Sequence, residues 1–357
     1  MKNMIRITRR DNLPVKQEAI ITAIAILLSI VCSGLIILAF GLNPIDIFKE
    51  MIVGSLGTEL RIKSMLTKAI PLIIASLGII VAFKMKFWNI GAEGQITMGA
   101  LGATFVALNM SPDTPQFVAM ILMMLAAALC GGVWALIPAV FKAKWGINET
   151  VFTLMMNYIA IKFVLYLQAG PWKDPSFNGF PRIANFGPNF IMPKTAGVNI
   201  GWIIAILAVV FIYFLIKHTK LGYEISVIGE SVDTARYAGM NIGKVIVVAM
   251  LISGGLCGIT GMIQASAVEL TLVSTIAGGY GFTAIITAWL SKLNPVVTLF
   301  VCLAFAILVQ GGDYIQIALG VSSSVSDVVQ GLILFFVLGS EFFIRYKVHI
   351  GKVKEVA

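Results

Sequence analysis

Long apolar runs alternate with short polar stretches along nearly the whole chain. Each run holds about 20 residues, the length of helix that crosses a bilayer core about 30 Å thick. Unpaired backbone groups are too costly in lipid, so the runs predict helices, or broken helices buried by their neighbours. The pattern predicts an all-α polytopic membrane protein with about ten transmembrane helices. The runs are 19–42, 68–86, 91–110, 116–141, 147–169, 200–217, 245–267, 271–290, 295–311 and 327–344.

The run 271–290 is the least regular of the ten. Its centre, TIAGGYGF, is rich in glycine, which leaves open a broken or re-entrant segment in place of a full span. A re-entrant segment would carry the basic tail RYKVHIGKVK to the other side of the membrane. We keep ten spans because that move would oppose the charge rule.

Lysine and arginine are divided unevenly between the two sides that ten spans create. The side with both termini holds 18 of the 26 basic residues, and the other side holds 7. Cytoplasmic loops carry such an excess, so both termini are expected in the cytoplasm. Cytoplasmic tails at 1–18 and 345–357 then flank a transmembrane domain at 19–344. Its two long loops are 170–199, outside the cell, and 218–244, in the cytoplasm.

The composition fits this membrane assignment. Hydrophobic residues make up 59% of the chain and charged residues only 12%, whereas a soluble domain is nearer a quarter charged. The net charge of +9 does not indicate nucleic acid, because the charges lie in short clusters between apolar runs. The four cysteines lie inside apolar runs without the spacing of a metal or redox site. We expect a multi-pass protein of the plasma membrane, surrounded by lipid.

The sequence offers no catalytic machinery. The two histidines, His218 and His349, stand beside helix ends. The Gly-Lys pairs at 243–244 and 351–352 are each followed by valine, so neither completes a phosphate-binding loop. We therefore predict that the chain is not an enzyme and holds neither a metal ion nor another cofactor.

A few polar side chains lie within or beside the predicted spans. For Asn157, Gln264 and the other deep amides, lining a transport pathway and hydrogen bonding between helices both stay open. Glu93 and Glu149 follow turns into helices, so helix capping is the simpler explanation for them. No carboxylate is placed at mid-membrane, which counts against an ion-coupled carrier.

The segment GESVDTARYAG, residues 229–239, is unusually polar for this chain. It predicts a short helix that Ser231 caps and Gly239 closes. Such a helix in a cytoplasmic loop suits docking to another protein, and a solvated turn is the alternative.

The same segment resembles a motif of one transporter family. GESVDTARYAGMN is similar to the cytoplasmic loop, G-E-x-x-x-A-A-R-Y-A-G, through which the permease subunits of ABC importers for sugars, nucleosides and branched-chain amino acids contact their ATPase. Thr234 departs from the second alanine. The resemblance implies that ATPase coupling rests on matching residues of this segment: Gly229, Glu230, Ala235, Arg236, Tyr237 and Gly239.

Three further stretches resemble the same family in the same order. FWNIGAEGQITMGALGA at 87–103 is similar to F-N-I-G-x-E-G-Q, with Trp88 altered or added. INETVFTLMMNYIA at 147–160 resembles the N-E-V-I-x-T-L-M-L-N-Y-I-A element of the nucleoside and simple-sugar branch. GYGFTAIITAWLSKLNP at 279–295 matches a fourth element, from which Ile286, Thr287, Trp289 and Ser291 depart.

The resemblance implies one membrane subunit of an ATP-driven importer. The expected partners are a cytosolic ATPase that binds ATP and Mg²⁺, a second permease that is a paralogue or an identical copy, and an extracytoplasmic substrate-binding protein. The matched branch favours nucleosides, with a simple sugar of the ribose or galactose type as the alternative and an ion-coupled secondary transporter as a weaker one. Neutral amides suit hydroxylated solutes. The predicted pathway residues are Asn89, Gln95, Asn157 and Gln264.

Overall fold

The computed structural model describes residues 3–9, 14–177, 179–320, 322 and 324–352. Helices dominate them. The thirteen α-helices of this described part are α1 (Val15–Ala39), α2 (Pro44–Leu56), α3 (Glu59–Lys84), α4 (Ala92–Asn109), α5 (Gln116–Trp145), α6 (Glu149–Ala169), α7 (Gly201–His218), α8 (Lys220–Glu230), α9 (Val232–Tyr237), α10 (Ile242–Ile263), α11 (Tyr280–Leu290), α12 (Pro295–Leu319) and α13 (Ser324–Arg345).

Shorter elements complete the chain. Strand β1 (Asn3–Arg9) pairs antiparallel with β4 (Tyr346–Lys352), and β2 (Lys194–Thr195) pairs with β3 (Val198–Asn199). A 3₁₀ turn spans Pro188–Phe190, and a π-helix spans Gln264–Glu269 at the end of α10. These strands are small additions to a helical fold, and none of them lies within a predicted apolar run.

Seven helices of the described residues are long and apolar enough to cross a membrane. They cover Ile20–Ala39, Glu59–Lys84, Gln116–Trp145, Glu149–Ala169, Gly201–His218, Ile242–Glu269 and Pro295–Leu319. Helices α4 and α13 occupy two further predicted runs. The prediction of a helical, multi-pass fold is confirmed at this level.

The run 271–290 does not form one continuous helix. Gly278 and Gly279 both adopt positive φ, and α11 begins only after them. With 11 residues, α11 is about 16 Å long, which is half of what a span needs. A full helix over this run is therefore corrected to a broken segment, because left-handed glycines interrupt the backbone.

The start of the run 68–86 also differs from the sequence pattern. α3 begins at Glu59 and carries its charged first turns before the apolar part, and α2 precedes it with an Asn43 cap and Pro44 at its first position. Hydropathy missed both features because polar and amphipathic turns do not stand out from a loop on that scale.

The chain divides into two compact units. One comprises Met1–Ile62 and Ile307–Ala357, and the other comprises Lys63–Ala306. In the first, α1 packs along α13, and Ser55 donates to the carbonyl of Ile307 at 2.6 Å. Arg61 of the same unit donates to the Tyr314 hydroxyl at 2.9 Å and lies over its ring.

The second unit is built around α4, α5 and α10, which pack on one another through glycine. A Cβ at Gly131 would lie 2.7 Å from the Cα of Gly258, and one at Gly258 would collide with the Ala127 carbonyl. Gly99 similarly faces Gly258. The small-residue spacing seen in the sequence thus serves close helix packing.

Candidate functional site

The 229–239 segment covers the last two residues of α8 and all of α9, with Ser231 in an extended conformation between them. α8 ends at Glu230, and α9 begins after Ser231, whose side chain accepts a hydrogen bond from the Thr234 N–H at 3.2 Å. After α9 the chain reverses at Gly239, which has a φ of +72°. The predicted short helix, its cap and its closing glycine are confirmed, with Ala238 just outside the helix.

α9 presents most of its side chains to the outside. Tyr237 is 92% exposed, and the Arg236 side chain is 74% exposed beside Asp233, 3.7 Å away. Ala235 is fully buried and fixes the helix to the body of the protein. An exposed aromatic ring and an exposed arginine are the side chains most enriched at the centres of protein interfaces.

Gly229 joins this segment to the end of α3. A Cβ at Gly229 would collide with the carbonyl oxygen of Lys84 and would lie 3.3 Å from the Cα of Met85. No side chain fits between the two backbones, so the end of α8 and the end of α3 touch directly. Glu230, the next residue, is the last of α8 and is exposed.

The bend after α3 is held by buried amides. Asn89 and Gln95 pair reciprocally, with distances of 3.2 and 3.0 Å between amide nitrogen and oxygen, and Asn89 also donates to Ser253 on α10. Asn157 on α6 accepts from the Gly94 N–H at 2.8 Å and donates to the Ile90 carbonyl at 2.9 Å.

Three of the four predicted pathway residues therefore lie together, and all three are buried. In this conformation their partners are one another, Ser253 and the backbone of residues 90–94. Gln264 lies elsewhere, buried at the first position of the π-helix. A pathway role for the four stays a prediction, and the amide network gives Asn89, Gln95 and Asn157 a second task, which is to shape the bend.

Two members of this network were absent from the sequence prediction. Thr153 accepts from the Ile90 N–H at 3.2 Å, and Ser253 accepts from Asn89. Thr153 precedes Asn157 by four residues, so helical spacing places both on one face of α6 and is the signal that would have found it. Ser253 gives no local signal, because its partner is 164 residues away.

The two span-end acids have different surroundings. Glu149 lies in the first turn of α6, whose cap is Asn148, and forms an ion pair with Lys142 at 2.7 Å. Glu93 lies in the first turn of α4, and its buried carboxylate also faces the beginning of α11. The acid positions fit helix N-termini, as the sequence suggested.

Loop 170–199 is ordered by its own contacts. Asp174 accepts from the Ser176 hydroxyl and N–H at 2.6 and 2.9 Å, and these bonds, with Arg182 nearby, lower the pKa of Asp174 below its ordinary 3.8. Buried apolar side chains anchor the loop to the body, whereas Phe180 is 91% exposed. The anchors are Ile183, Phe186, Phe190 and Met192.

Most of the chain matches one known family of membrane proteins. Residues 61–338 match the family described as the permease component of the branched-chain amino acid transport system. The chain belongs to this permease family. Its matched region includes the buried bend, the broken segment and the 229–239 segment. It is therefore an integral membrane permease subunit of an ABC transporter and not an enzyme, with ATP hydrolysis in a separate subunit.

Three relatives extend the match to nearly the whole chain. The permease is 34% identical to the glucose ABC transporter permease protein TsgB13 of Haloferax volcanii, over 92% of this chain and 89% of the relative. It is 30% identical to the guanosine ABC transporter permease protein NupP of Bacillus subtilis, over 94% and 97%. It is 29% identical to the nucleoside ABC transporter permease protein NupB of Lactococcus lactis, over 90% and 91%.

Proposed function

We propose that this permease is one membrane subunit of an ATP-driven importer of nucleosides. The observation that carries the substrate class is its similarity to NupP and NupB over almost their full lengths, since both relatives are named as permeases for nucleosides. The 147–160 element, which resembles the nucleoside and simple-sugar branch, points the same way.

Simple sugars are the second candidate, and a specific observation favours them. The glucose permease TsgB13 is slightly more similar in sequence than either nucleoside permease. Both solute classes are neutral and rich in hydroxyl groups, so the same amide and hydroxyl side chains serve either. In such an importer the binding protein selects the solute, and the permease binds it only weakly.

The proposed topology has ten crossings and both termini in the cytoplasm. α11 with the preceding unwound residues supplies the broken crossing, and α4 and α13 supply two more. Pairing of β1 with β4 supports termini on one side, because strands that share hydrogen bonds cannot lie across a bilayer from each other. The positive charge of that side supports a cytoplasmic location. In this topology the permease domain is 19–344, flanked by tails 1–18 and 345–357, with loop 170–199 outside and loop 218–244 inside.

The proposed ATPase contact is the exposed face of α9, with Arg236 and Tyr237 at its centre. The residues assigned to coupling are Gly229, Glu230, Ala235, Arg236, Tyr237 and Gly239. ATP and Mg²⁺ are bound by the ATPase, and the part of this chain that the structure describes contains no group of three or more potential metal ligands.

Movement of α9 has a short physical route into the membrane helices. α8 carries α9 and touches the carbonyl of Lys84 through Gly229. Lys84 ends α3, and the buried amides of the following bend bind α4, α6 and α10. A shift of α9 on ATP binding would therefore reach the α4–α10 core through backbone contact and hydrogen bonds.

Two further partners complete the proposed assembly. A second permease, a paralogue or an identical copy, forms the other half of the pathway. The extracytoplasmic binding protein docks on loop 170–199, where the exposed ring of Phe180 is the proposed anchor. Phe180→Ala should weaken binding-protein affinity at least tenfold, whereas Phe117→Ala, at another exposed ring, should leave it unchanged.

Uptake of labelled guanosine or adenosine in source cells with and without the chain tests the substrate class. Unlabelled ribose, galactose, glucose and leucine serve as competitors. We expect nucleoside uptake to be lost on deletion and to be insensitive to all four competitors. Unchanged nucleoside uptake with loss of glucose or ribose uptake would transfer the assignment to sugars.

Arg236→Glu tests the ATPase contact. Reversing the exposed charge should reduce ATPase co-purification and uptake together. Lys220→Glu is the matched control, because Lys220 is also an exposed cation of loop 218–244 but lies on α8, paired with Glu224 at 3.7 Å. Undiminished ATPase binding and uptake in Arg236→Glu would remove α9 from the interface.

A further inference from the structure

Glu93 is a buried carboxylate that capping of its own helix does not explain. Its side chain is only 5% exposed, and its Oε2 atom has no hydrogen-bond partner within the described residues. Buried polar atoms without a partner are rare, and a buried ionisable side chain is costly enough to indicate a task.

The carboxylate faces the beginning of a different helix. Backbone N–H groups of Gly279, Gly281 and Phe282, at the start of α11, lie beside it, and its Oε1 atom is 4.0 Å from the position of a Cβ at Gly279. The first turn of a helix has N–H groups without partners inside the helix and a positive potential, and both favour a carboxylate there. Glu93 of α4 thus lies at the N-terminus of α11, although 186 or more positions of sequence separate them.

Backbone packing reinforces this contact. A Cβ at Gly281 would lie 2.5 Å from the Glu93 nitrogen and 2.9 Å from the Ala92 carbonyl carbon. The first turns of α4 and α11 therefore touch without any intervening side chain. The backbone contact and the Glu93 carboxylate both act on the first turn of α11, where it joins the unwound residues before it.

The other end of the unwound segment is held by loop 170–199. The Met192 N–H donates to the Ser266 carbonyl at 2.9 Å within the π-helix, and the Phe186 N–H donates to the Leu270 carbonyl at 2.8 Å. The Thr271 hydroxyl donates to the Ile183 carbonyl at 3.0 Å. Residues 271–279 thus run between an anchor on the loop and an anchor on Glu93.

We propose that Glu93 is the positioning residue that locks α11 to α4, so that the broken segment follows the movement of the ATPase-driven bend. The bend 85–91 leads directly into α4, and Gln95, two residues after Glu93 on α4, is hydrogen-bonded to Asn89 in that bend. Glu93 therefore joins the two structures that an importer must move together. This role rests on the proposed function of the chain as a transport subunit.

Hydrogen–deuterium exchange of the purified complex tests the lock without any substrate. Glu93→Ala should speed exchange of the Gly279, Gly281 and Phe282 amides roughly tenfold, because the carboxylate beside them is lost. Glu93→Gln retains an oxygen acceptor and nearly the same volume, so it should restore most of the protection. Glu149→Gln, at the other buried first-turn acid, should leave this region unchanged.

Transport kinetics separate positioning from substrate contact. Glu93→Ala should lower the maximal uptake rate at least tenfold with little change in KM, while ATP hydrolysis continues, and Glu93→Gln should recover much of the rate. A raised KM with an unchanged maximal rate would overturn the proposal in favour of a substrate contact. Unchanged exchange at 279–283 in Glu93→Ala, or an equal increase throughout the protein in Glu93→Gln, would also overturn it.

The outcomes distinguish this proposal from the proposed function. If the wild-type complex moves no nucleoside, the substrate assignment fails, and the exchange experiment still decides whether Glu93 holds α11. If nucleoside uptake is normal in both Glu93 variants, the importer function stands and the lock is wrong.

Discussion

The backbone of Gly229 lies directly against the carbonyl of Lys84. The Lys84 carbonyl carbon is 3.1 Å from the position of a Cβ at Gly229, and the oxygen is closer still. Gly229→Ala should therefore displace α8 from α3 and lower uptake several-fold, with ATPase binding largely retained. Uptake and ATPase co-purification, measured on the same preparations, check this.

Gly243→Ala is the control for that substitution. Gly243 also lies in loop 218–244, but a Cβ there meets its nearest neighbour, the Ala143 Cβ, at an ordinary 3.7 Å. Its uptake should match that of the wild type. Equal uptake by the Gly229 and Gly243 variants would show that the α8–α3 contact carries no movement.

Gly258 is the closest packing point between α10 and α5. A methyl group there would meet the Ala127 carbonyl and the Gly131 Cα, neither of which can rotate away. Gly258→Ala should destabilise the protein by about 1–3 kcal/mol, the usual cost of overpacking. Thermal unfolding in detergent measures this.

Gly255, three residues earlier in α10, provides the comparison. A Cβ at Gly255 would lie 3.5 Å from the Ala128 carbonyl, so Gly255→Ala should be neutral or slightly stabilising, because alanine favours a helix by about 1 kcal/mol over glycine. Equal melting temperatures for the two variants would contradict the close α5–α10 packing.

The Asn89–Gln95 pair predicts non-additive effects. Asn89→Ala and Gln95→Ala should each cost about 1–3 kcal/mol, because each leaves a buried amide unpaired. The double variant should cost clearly less than the sum, with a coupling of about 0.5–3 kcal/mol. Thermal unfolding of the wild type, the two single variants and the double variant completes this double-mutant cycle. Simply additive costs would mean that the amides do not act as a pair.

The same variants examine the predicted pathway role. Loss of the bend alone should reduce uptake of every transported solute by a similar factor. A change in the ratio of guanosine to ribose uptake in Asn89→Ala or Asn157→Ala would instead place these amides in contact with the solute.

Asp174 should stabilise loop 170–199 through its contacts with Ser176 and Arg182. Its hydrogen bonds to Ser176 depress its pKa, so its contribution is complete above the ordinary pKa of 3.8 and is lost only as the pH falls through the lower, folded value. At neutral pH, Asp174→Ala should accelerate tryptic cleavage after Lys173 and Arg182. Asp113→Ala, at an exposed turn, should leave both rates unchanged, and equal cleavage in the two variants would contradict the role of Asp174.

Local rules made much of this fold predictable. Ser231 and Gly239 mark the ends of α9 because a cap and a left-handed closing glycine act within one or two turns. The apolar runs mark the long helices for an equally local reason. α2 escaped prediction because it is amphipathic and shorter than a span, and the break at Gly278 and Gly279 was visible only as an alternative.

The contacts between distant residues needed the structure. Asn89 and Ser253, or Glu93 and Gly281, meet only after the helices have packed, and neither residue of either pair has a local feature that selects its partner. Their residue types indicated buried polar groups, but one sequence did not distinguish a pathway from a hydrogen bond between helices.

Uptake by proteoliposomes that contain the whole complex measures directly whether ATP drives import through this permease. Labelled guanosine and the binding protein are supplied on one side, ATP and Mg²⁺ on the ATPase side, and ionophores abolish all ion gradients. We predict accumulation that requires ATP, is insensitive to ionophores and falls sharply in Arg236→Glu but not in Lys220→Glu. Accumulation without ATP that an ion gradient drives would contradict it.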